Sequence, residues 1–435
     1  MMRRTTLVLV LGLGLASSSE AQTVVPLAEA LQQARAESLP VLSASAQVAS
    51  ANATLAAVED SRWPSLSLSM GGGQRYGLAF DQTTGGLTQA TVESVDAGLF
   101  ARYIVFDGFE RRAQRRSAEA SLRAAELTRV RAGQDAAQAV LAGYLAVAEA
   151  EALQSIAEAN EEAERQLLTE VEAQVEYGAR PAFEIEQQRE RVAAAQGAGL
   201  QAARQRDRAA AQLIQILGLS PMESYAFPLP ETGADEAVSP VDELVTRALA
   251  SRPDVQAAEA AQLAVRADRR AARSGRLPQV TLTGGMGTSY TSANTDTGIP
   301  GQLGDNRSGS LGLSVSLPLM DRGATRSRIR QAEARATRVD VEAETVRRTI
   351  VFEIQDTVTD LESLAAQAEV AAVRQRAAAA ALDAELARFA AGATTLQTVA
   401  QLRSRAVEAQ VELERLRIQR QVQAQILELV IGHPE

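Results

Sequence analysis

Very little in this chain is equipped for covalent chemistry. It has no cysteine and a single histidine, His433, in its last three residues. The missing thiols remove a cysteine nucleophile, a disulfide framework and a thiolate metal site together. His433 reads as a tail residue, because chain ends are usually poorly ordered. No Ser/His/Asp arrangement can be assembled around it. Gly71-Gly72-Gly73 is the nearest approach to a phosphate cradle, but it follows a strand pattern and opens no helix. One His and six Met are too few to line a path for soft metals. The expectation is a protein without catalytic residues, metal or cofactor. A formal net charge of −10 also sets nucleic-acid binding aside.

If the side chains do no chemistry, the elements must carry the function, and the elements come twice. At an offset of 214 positions, Pro64 pairs with Pro278, Gly98 with Gly312, Asp107 with Asp321 and Gly178 with Gly392. One structural unit is written twice. Copy one covers 22–218 and copy two 240–432. A turn-rich linker, 219–239, joins them and is expected to pack outside the helices. Residues 433–435 form a tail. Each copy reads as helix, strand, strand, very long helix, tight turn, helix.

The first 21 residues stand apart. Arg3 and Arg4 precede an apolar stretch, Leu7 to Leu15, and a small-residue site ends at Ala21. This is the pattern of a secretory signal. No other segment is expected to supply the ~20 apolar residues of a spanning helix. Any membrane crossing is therefore expected to use strands.

In copy one, residues 26–61 read as one helix, ended by Trp63-Pro64. Strands are expected at about 64–76 and 94–106, with a polar loop over 77–93. Leu66, Leu68 and Met70 alternate with serines, as do Val95, Ala97, Leu99 and Ala101 with their neighbours. Copy two has strands at about 278–288 and 308–318, with a polar loop between. The non-apolar face carries Ser, Gly and Thr, not charge. Eight of fifteen aromatics, among them Trp63, Tyr76, Phe100, Tyr103 and Tyr290, fall near the strands. Interfacial aromatic girdles of this kind mark membrane barrels.

After each strand pair no proline interrupts the chain for about 70 residues, enough for a helix of about 100 Å. Glycines then break the run in tips at about 177–181 and 390–394, each placed as a helix C-cap. The last helix shows a seam of Leu402, Ala406, Ala409, Leu413, Leu416, Arg420, Gln423, Leu427 and Val430, in steps of three and four. Four strands cannot close usefully, and an open edge in lipid leaves backbone groups unsatisfied. The chain must oligomerise, and two or three copies both satisfy that argument.

Basic clusters sit just beyond both strand pairs: Arg111, Arg112, Arg115 and Arg116, then Arg322, Arg326, Arg328 and Arg330. They suit phosphate headgroups of the inner leaflet. The competing reading is an ordinary helix surface with pairs such as Arg115 and Glu119. At the tips, Gly178, Ala179, Arg180, Gly392, Ala393 and Thr394 are candidates for contact with another protein. Turn chemistry alone explains all of them except Arg180.

These residues resemble the TolC-like outer-membrane efflux and secretion channel family. The likeness rests on Leu39-Pro40-Val41-Leu42, Arg62-Trp63-Pro64-Ser65-Leu66, Phe106-Asp107-Gly108-Phe109 and Gly178 to Ile185. In copy two it rests on Arg252-Pro253-Asp254-Val255, Leu277-Pro278-Gln279-Val280-Thr281-Leu282 and Gly392-Ala393-Thr394-Thr395-Leu396. The resemblance implies a mainly α protein with a membrane β-barrel. Its copies would form a homotrimer, with a 12-stranded barrel continued by a periplasmic α-helical barrel. It implies a passive exit duct in the cell outer membrane, part of a tripartite efflux pump or type I secretion system. A periplasmic adaptor (membrane fusion) protein and an inner-membrane RND or ABC transporter would dock at the tips. Acidic residues narrow the periplasmic entrance in the family. Here the matching positions of the second tip are Thr398 and Gln401, both uncharged, which leaves Glu184 of the first tip to supply ring charge. The alternative function is a soluble periplasmic coiled-coil structural protein, which leaves the strand pairs without a purpose.

Overall fold

The computed structural model describes residues 23–81, 85–229, 239–293 and 297–431. The expected signal segment, the tail with His433, and residues 230–238 of the linker lie outside the described residues. The chain forms two compact units. One comprises 1–41, 133–244 and 353–435; the other comprises 42–132 and 245–352. Each unit draws on both sequence copies.

The second unit holds a four-stranded antiparallel sheet of β2 (Ser65–Asp81), β3 (Gly86–Phe106), β5 (Gln279–Thr291) and β6 (Ser308–Ser316), in the order β2-β3-β5-β6. The register collects the apolar residues on one face. Leu66, Ala101, Gly284 and Leu311 form one row across the strands, and Leu68, Leu99, Met286 and Gly309 the next. Most of these leucines are exposed in the single chain. The opposite face carries Ser65, Arg102, Thr283 and Gly312 in one row and Ser67, Phe100, Gly285 and Ser310 in another. The Phe100 ring lies across two glycines of that face: a Cβ added at Gly98 or Gly285 would come 2.8 or 3.1 Å from it.

β2 and β3 run past their expected ends, into the stretch 77–93 read as a polar loop. The Gly, Thr and Gln of that stretch give no periodic apolar signal in the sequence, yet antiparallel pairing satisfies the backbone groups of 77–81 and 86–93 whatever the side chains are. In copy two the expected loop contains a short helix, α7 (Ile299–Asp305). Gln302 fastens it: its amide donates to Thr291 O (3.1 Å) and Thr297 O (3.0 Å) and accepts from Thr291 N–H (3.0 Å).

The helix expected over 26–61 is two helices, α1 (Leu27–Glu37) and α2 (Leu39–Asp60). Ser38 is extended (ψ 149°) just ahead of Pro40. Copy two repeats the break between α5 (Val241–Ser251) and α6 (Pro253–Ser274), with Arg252 at ψ 132° before Pro253. Pro253 imposes the break on Arg252, since proline disfavours helical geometry in the residue before it. In copy one the extended residue is Ser38, two before Pro40, whose missing N–H prevents one continuous hydrogen-bonded helix through the break. Leu27–Asp60 and Glu110–Glu176 are each long and apolar enough, by length and composition, to cross a membrane, whereas no such segment was expected. Both are rich in alanine, which is apolar but has little bulk.

Two helices of 67 residues, α3 (Glu110–Glu176) and α8 (Ala324–Ala390), leave the sheet. They return as α4 (Phe183–Leu217) and α9 (Leu396–Ile431). Both long helices start the same way. Asp107 accepts the Arg111 N–H at 3.1 Å, and Asp321 accepts the Thr325 N–H at 2.7 Å and the Gly323 N–H at 3.0 Å. The carboxylate satisfies amides that have no partner inside the helix and complements its positive end. Each turn uses two successive left-handed residues, one of them not glycine: Phe109 (φ 70°) and Arg322 (φ 53°). Phe109 has a ring partner in Phe106, edge-on at 5.3 Å.

Hydrogen bonds from Thr325 and from the nearby backbone hold the Asp321 carboxyl below its ordinary value of 3.8. A depressed carboxylate pKa stabilises the fold above the unfolded value, and that contribution is lost as pH falls through the folded one. Asp321→Asn should therefore lower the melting temperature at neutral pH and match the parent protein at strongly acidic pH. Thermal unfolding followed by circular dichroism across that range checks it; a pH-independent difference would contradict the linkage.

The core of the first unit gathers Val25, Val140, Leu141, Tyr144, Leu213 and Phe227. The described part of the linker is not outside this packing. Phe227 is 3% exposed, and β4 (Tyr225–Ala226) pairs in parallel with β1 (Thr23–Val24). Tyr144 donates to Val25 O at 2.7 Å and meets Phe227 edge-on at 5.7 Å. Burial, with Glu29 adding to it, pushes the phenol above its ordinary pKa. Tyr144→Phe should cost about 1–2 kcal/mol, because a buried carbonyl loses its donor. Guanidinium denaturation measures it.

The seam of α9 differs from the spacing read in the sequence. Its buried positions are Leu396, Val399, Arg403, Ala409, Leu413, Leu416, Val422, Leu427, Val430 and Ile431. Arg403 replaces Leu402, and Val422 replaces the polar pair Arg420 and Gln423. Arg403 enters the core because Glu164 of α3 meets it (Nε to Oε1, 3.6 Å). Gln188 of α4 closes the group by donating to Glu164 O at 3.0 Å and to its carboxylate at 2.5 Å.

Candidate functional site

The two helix tips lie in the first unit, and both end by the same device. Gly178 (φ 70°) follows α3 and Gly392 (φ 72°) follows α8. In the first, Gly178 N–H donates to Val175 O and Ala179 N–H to Gln174 O, both at 2.9 Å. In the second, Gly392 N–H donates to Phe389 O at 2.9 Å and Ala393 N–H to Arg388 O at 2.8 Å. This pair of bonds needs a left-handed residue at the glycine position, which disfavours any Cβ there. Gly178, Ala179, Gly392 and Ala393 are exposed at the turns, and Tyr177 beside them is 87% exposed.

Arg180 is not among the exposed residues. Its side chain is 7% exposed. Its guanidinium lies 3.7 Å above the centre of the Phe389 ring. Nη2 donates to Phe389 O (3.1 Å) and Thr394 O (3.2 Å), Nη1 to the Glu184 carboxylate (3.0 Å), and Nε to the Gln174 side chain. A residue read as a contact for another protein is instead a clasp joining one helical hairpin to the other. The planar fork and its aromatic platform explain why arginine fills this role.

Glu184 changes meaning with it. The carboxylate expected to charge an aperture is 13% exposed and paired with Arg180. Thr398 lies in the first turn of α9, where its N–H donates to Thr395 Oγ1 at 3.3 Å. Gln401 is exposed. Thr394 donates its hydroxyl to Glu385, which also pairs with Arg388 at 3.2 Å. The clasp and the Glu164–Gln188–Arg403 group both escaped the sequence reading. Both depend on partners from another hairpin, and spacing along one helix does not reveal them.

In the strand-bearing unit, Arg111 is likewise committed inside the chain. It pairs with Asp107 at 2.6 Å and donates to Ile104 O at 2.6 Å and Ser61 O at 3.3 Å. It ties the start of α3 to the ends of α2 and β3, which corrects its reading as a headgroup contact. Arg112, Arg116, Arg322 and Arg326 are exposed, and Arg115 forms an exposed pair with Glu119 at 3.5 Å. Among the described residues no cluster of three or more His, Asp or Glu side chains is arranged to hold a metal ion.

The family model for outer membrane efflux proteins matches residues 30–219 and 244–433, one span in each sequence copy. The chain belongs to the outer membrane efflux protein family. It is thus an outer-membrane efflux protein with the fold of the TolC-like channels, and the soluble coiled-coil alternative falls away. It is 29% identical over 407 residues to the pyoverdine export outer membrane protein OpmQ of Pseudomonas aeruginosa, spanning 90% of this chain and 81% of that one. It is 27% identical over 323 residues to the outer membrane efflux protein BepC of Brucella suis, spanning 73% of this chain and 67% of that one. Its fold matches the solved structure of CusC with a TM-score of 0.82 at 19% identity, covering 94% of this chain and 92% of that one. VceC of Vibrio cholerae gives a TM-score of 0.78 at 19% identity, with coverages of 93% and 96%.

Proposed function

We propose that this outer-membrane efflux protein works as a homotrimeric exit duct. Three copies would join their four-stranded sheets into a 12-stranded barrel, continued into the periplasm by the long helices. One observation carries the reading. Among the described residues no further strand pairs with the two edges of the sheet, β2 and β6, and one face presents exposed leucines. Neither is tolerable in one chain, in water or in lipid, because open edges leave backbone groups unpaired in a membrane. Closure by further copies removes both problems. The helices add support, since only 11% of the most apolar window in Leu27–Asp60 is buried within the chain.

The duct moves solutes passively. An inner-membrane RND or ABC transporter supplies energy, and a periplasmic adaptor docks at the exposed tip residues around Gly178 and Gly392. The likeness to a pyoverdine exporter favours small solutes as cargo over secreted polypeptides. Arg112, Arg115, Arg116, Arg322 and Arg326 face inner-leaflet headgroups.

Native mass spectrometry of the detergent-purified protein, with conductance in planar bilayers, tests this. A trimer that opens stable conducting pores is expected. A monomer that never conducts would overturn the proposal.

A further inference from the structure

The apolar face of the sheet is not uniformly bulky. In the row Leu66–Ala101–Gly284–Leu311 the two central positions are small and the two flanking ones are leucines. A groove of about 410 Å³ results, floored by Ala101 and Gly284 and walled by Leu282 and Leu311. A second hollow of about 480 Å³ shares Ala101, Gly284 and Leu311 and extends it toward Met286. From the Tyr103 row to the Met286 row is four residues along a strand, about 14 Å. That is the depth of one leaflet, half of a hydrocarbon core about 30 Å thick.

The helix-side end of the groove is different in character. Arg62, Trp63 and Tyr103 line it. Trp63 is 74% exposed and Tyr103 37%. Arg62 uses Nε to hold Glu59 O at 3.1 Å. Among the described residues its two terminal nitrogens have no partner. An apolar trough one leaflet long, with amphipathic rings and a cation at its interfacial end, matches one molecule class: a chain of hydrocarbon carrying a phosphate. Aromatic rings sit at the headgroup level of membrane proteins, and guanidinium bonds to phosphate are charge-assisted.

We propose that this groove is a binding site for an inner-leaflet glycerophospholipid, one acyl chain lying over Ala101 and Gly284 with the phosphate on Arg62. The proposal rests on the reading that the apolar face of the sheet meets lipid. It differs from the basic clusters beyond the strands, which offer charge without a chain-shaped groove.

Gly284→Leu tests it. An added Cβ there meets nothing closer than 3.8 Å, so the substitution fills the groove without a backbone clash. Native mass spectrometry of the assembled protein, titrated with dioleoylphosphatidylglycerol, should show a retained lipid population that Gly284→Leu reduces by at least about tenfold. Arg62→Gln should weaken retention and abolish the preference for phosphatidylglycerol over dioleoylglycerol. Inorganic phosphate and glycerol phosphate should not compete. Equal retention by the parent protein and both variants, or displacement by inorganic phosphate alone, would overturn the proposal. Both variants should keep the parent conductance. Unchanged lipid retention with intact pores would sink the lipid site alone, whereas a parent protein without pores would sink the duct.

Discussion

Replacing Arg180 by alanine is expected to release the two helix tips from each other. The side chain bridges the hairpin of α3 and α4 to that of α8 and α9 through Phe389 and Thr394, and it neutralises Glu184. Alanine removes those donors and the stacked cation in one step. It also leaves the Glu184 carboxylate, 13% exposed, without its counter-charge. Removing one partner of a buried pair costs about 3–5 kcal/mol. The ring contact contributes part of what is lost. At 1.4 kcal/mol per decade the separated arrangement gains roughly two to three and a half orders of magnitude in population. Spin labels at Phe183 and Gln397, both exposed, should report one narrow distance in the parent protein and a broad distribution in Arg180→Ala. Arg180→Lys should fall between them, since it keeps the charge opposite Glu184 but loses the planar fork. On the proposed orientation, the same loosening widens the periplasmic mouth, and Arg180→Ala should conduct more per pore. An unchanged, narrow distance distribution would remove the clasp as an explanation of the geometry.

The second large effect separates the two faces of the sheet with neighbouring residues. Leu68 lies on the apolar face, in the row of Leu99 and Met286, and is 69% exposed in the single chain. Ser69 lies on the other face, opposite Gly98. An arginine on the lipid face of a barrel strand costs about 2–4 kcal/mol near the midplane. A symmetric trimer takes that cost in every copy, so Leu68→Arg should yield no assembled protein in the membrane fraction. Ser69→Arg should assemble and conduct. Its charge, repeated by symmetry, should shift the pore toward anions in reversal-potential measurements. The opposite pattern, with Ser69→Arg lost and Leu68→Arg tolerated, would place the leucines inside.

Features that depend on neighbouring residues were legible in the chain. Leu66, Leu68 and Met70 alternate with serines, and β2 begins at Ser65. Gly178 and Gly392 stand where a helix stops because that stop needs a left-handed backbone. Asp107 and Asp321 were legible only as a matching pair 214 residues apart; that they cap the two long helices came from the structure. Features that required knowing a distant partner were not. The same arginine type is exposed at position 112 and spent internally at positions 111 and 180. The reach of β2 and β3 past their apolar part was hidden too, because Gly and Thr pair as well as leucine does while giving no periodic signal.

The duplication, the face-by-face alternation of the strands, the proline-free helices and the open edges that demand more copies all follow from the order of residues. Each is a local rule of backbone geometry or its direct consequence, so no coordinates are needed to read it. What the tertiary structure alone decided is which charges are available. Arg180 meets Thr394, its own counterpart 214 residues later in the second copy. Arg403 finds Glu164, and Arg111 finds Ser61. A charge is spent or free according to what folding brings within about 4 Å of it, and that distance is set by the packing of segments far apart in the chain.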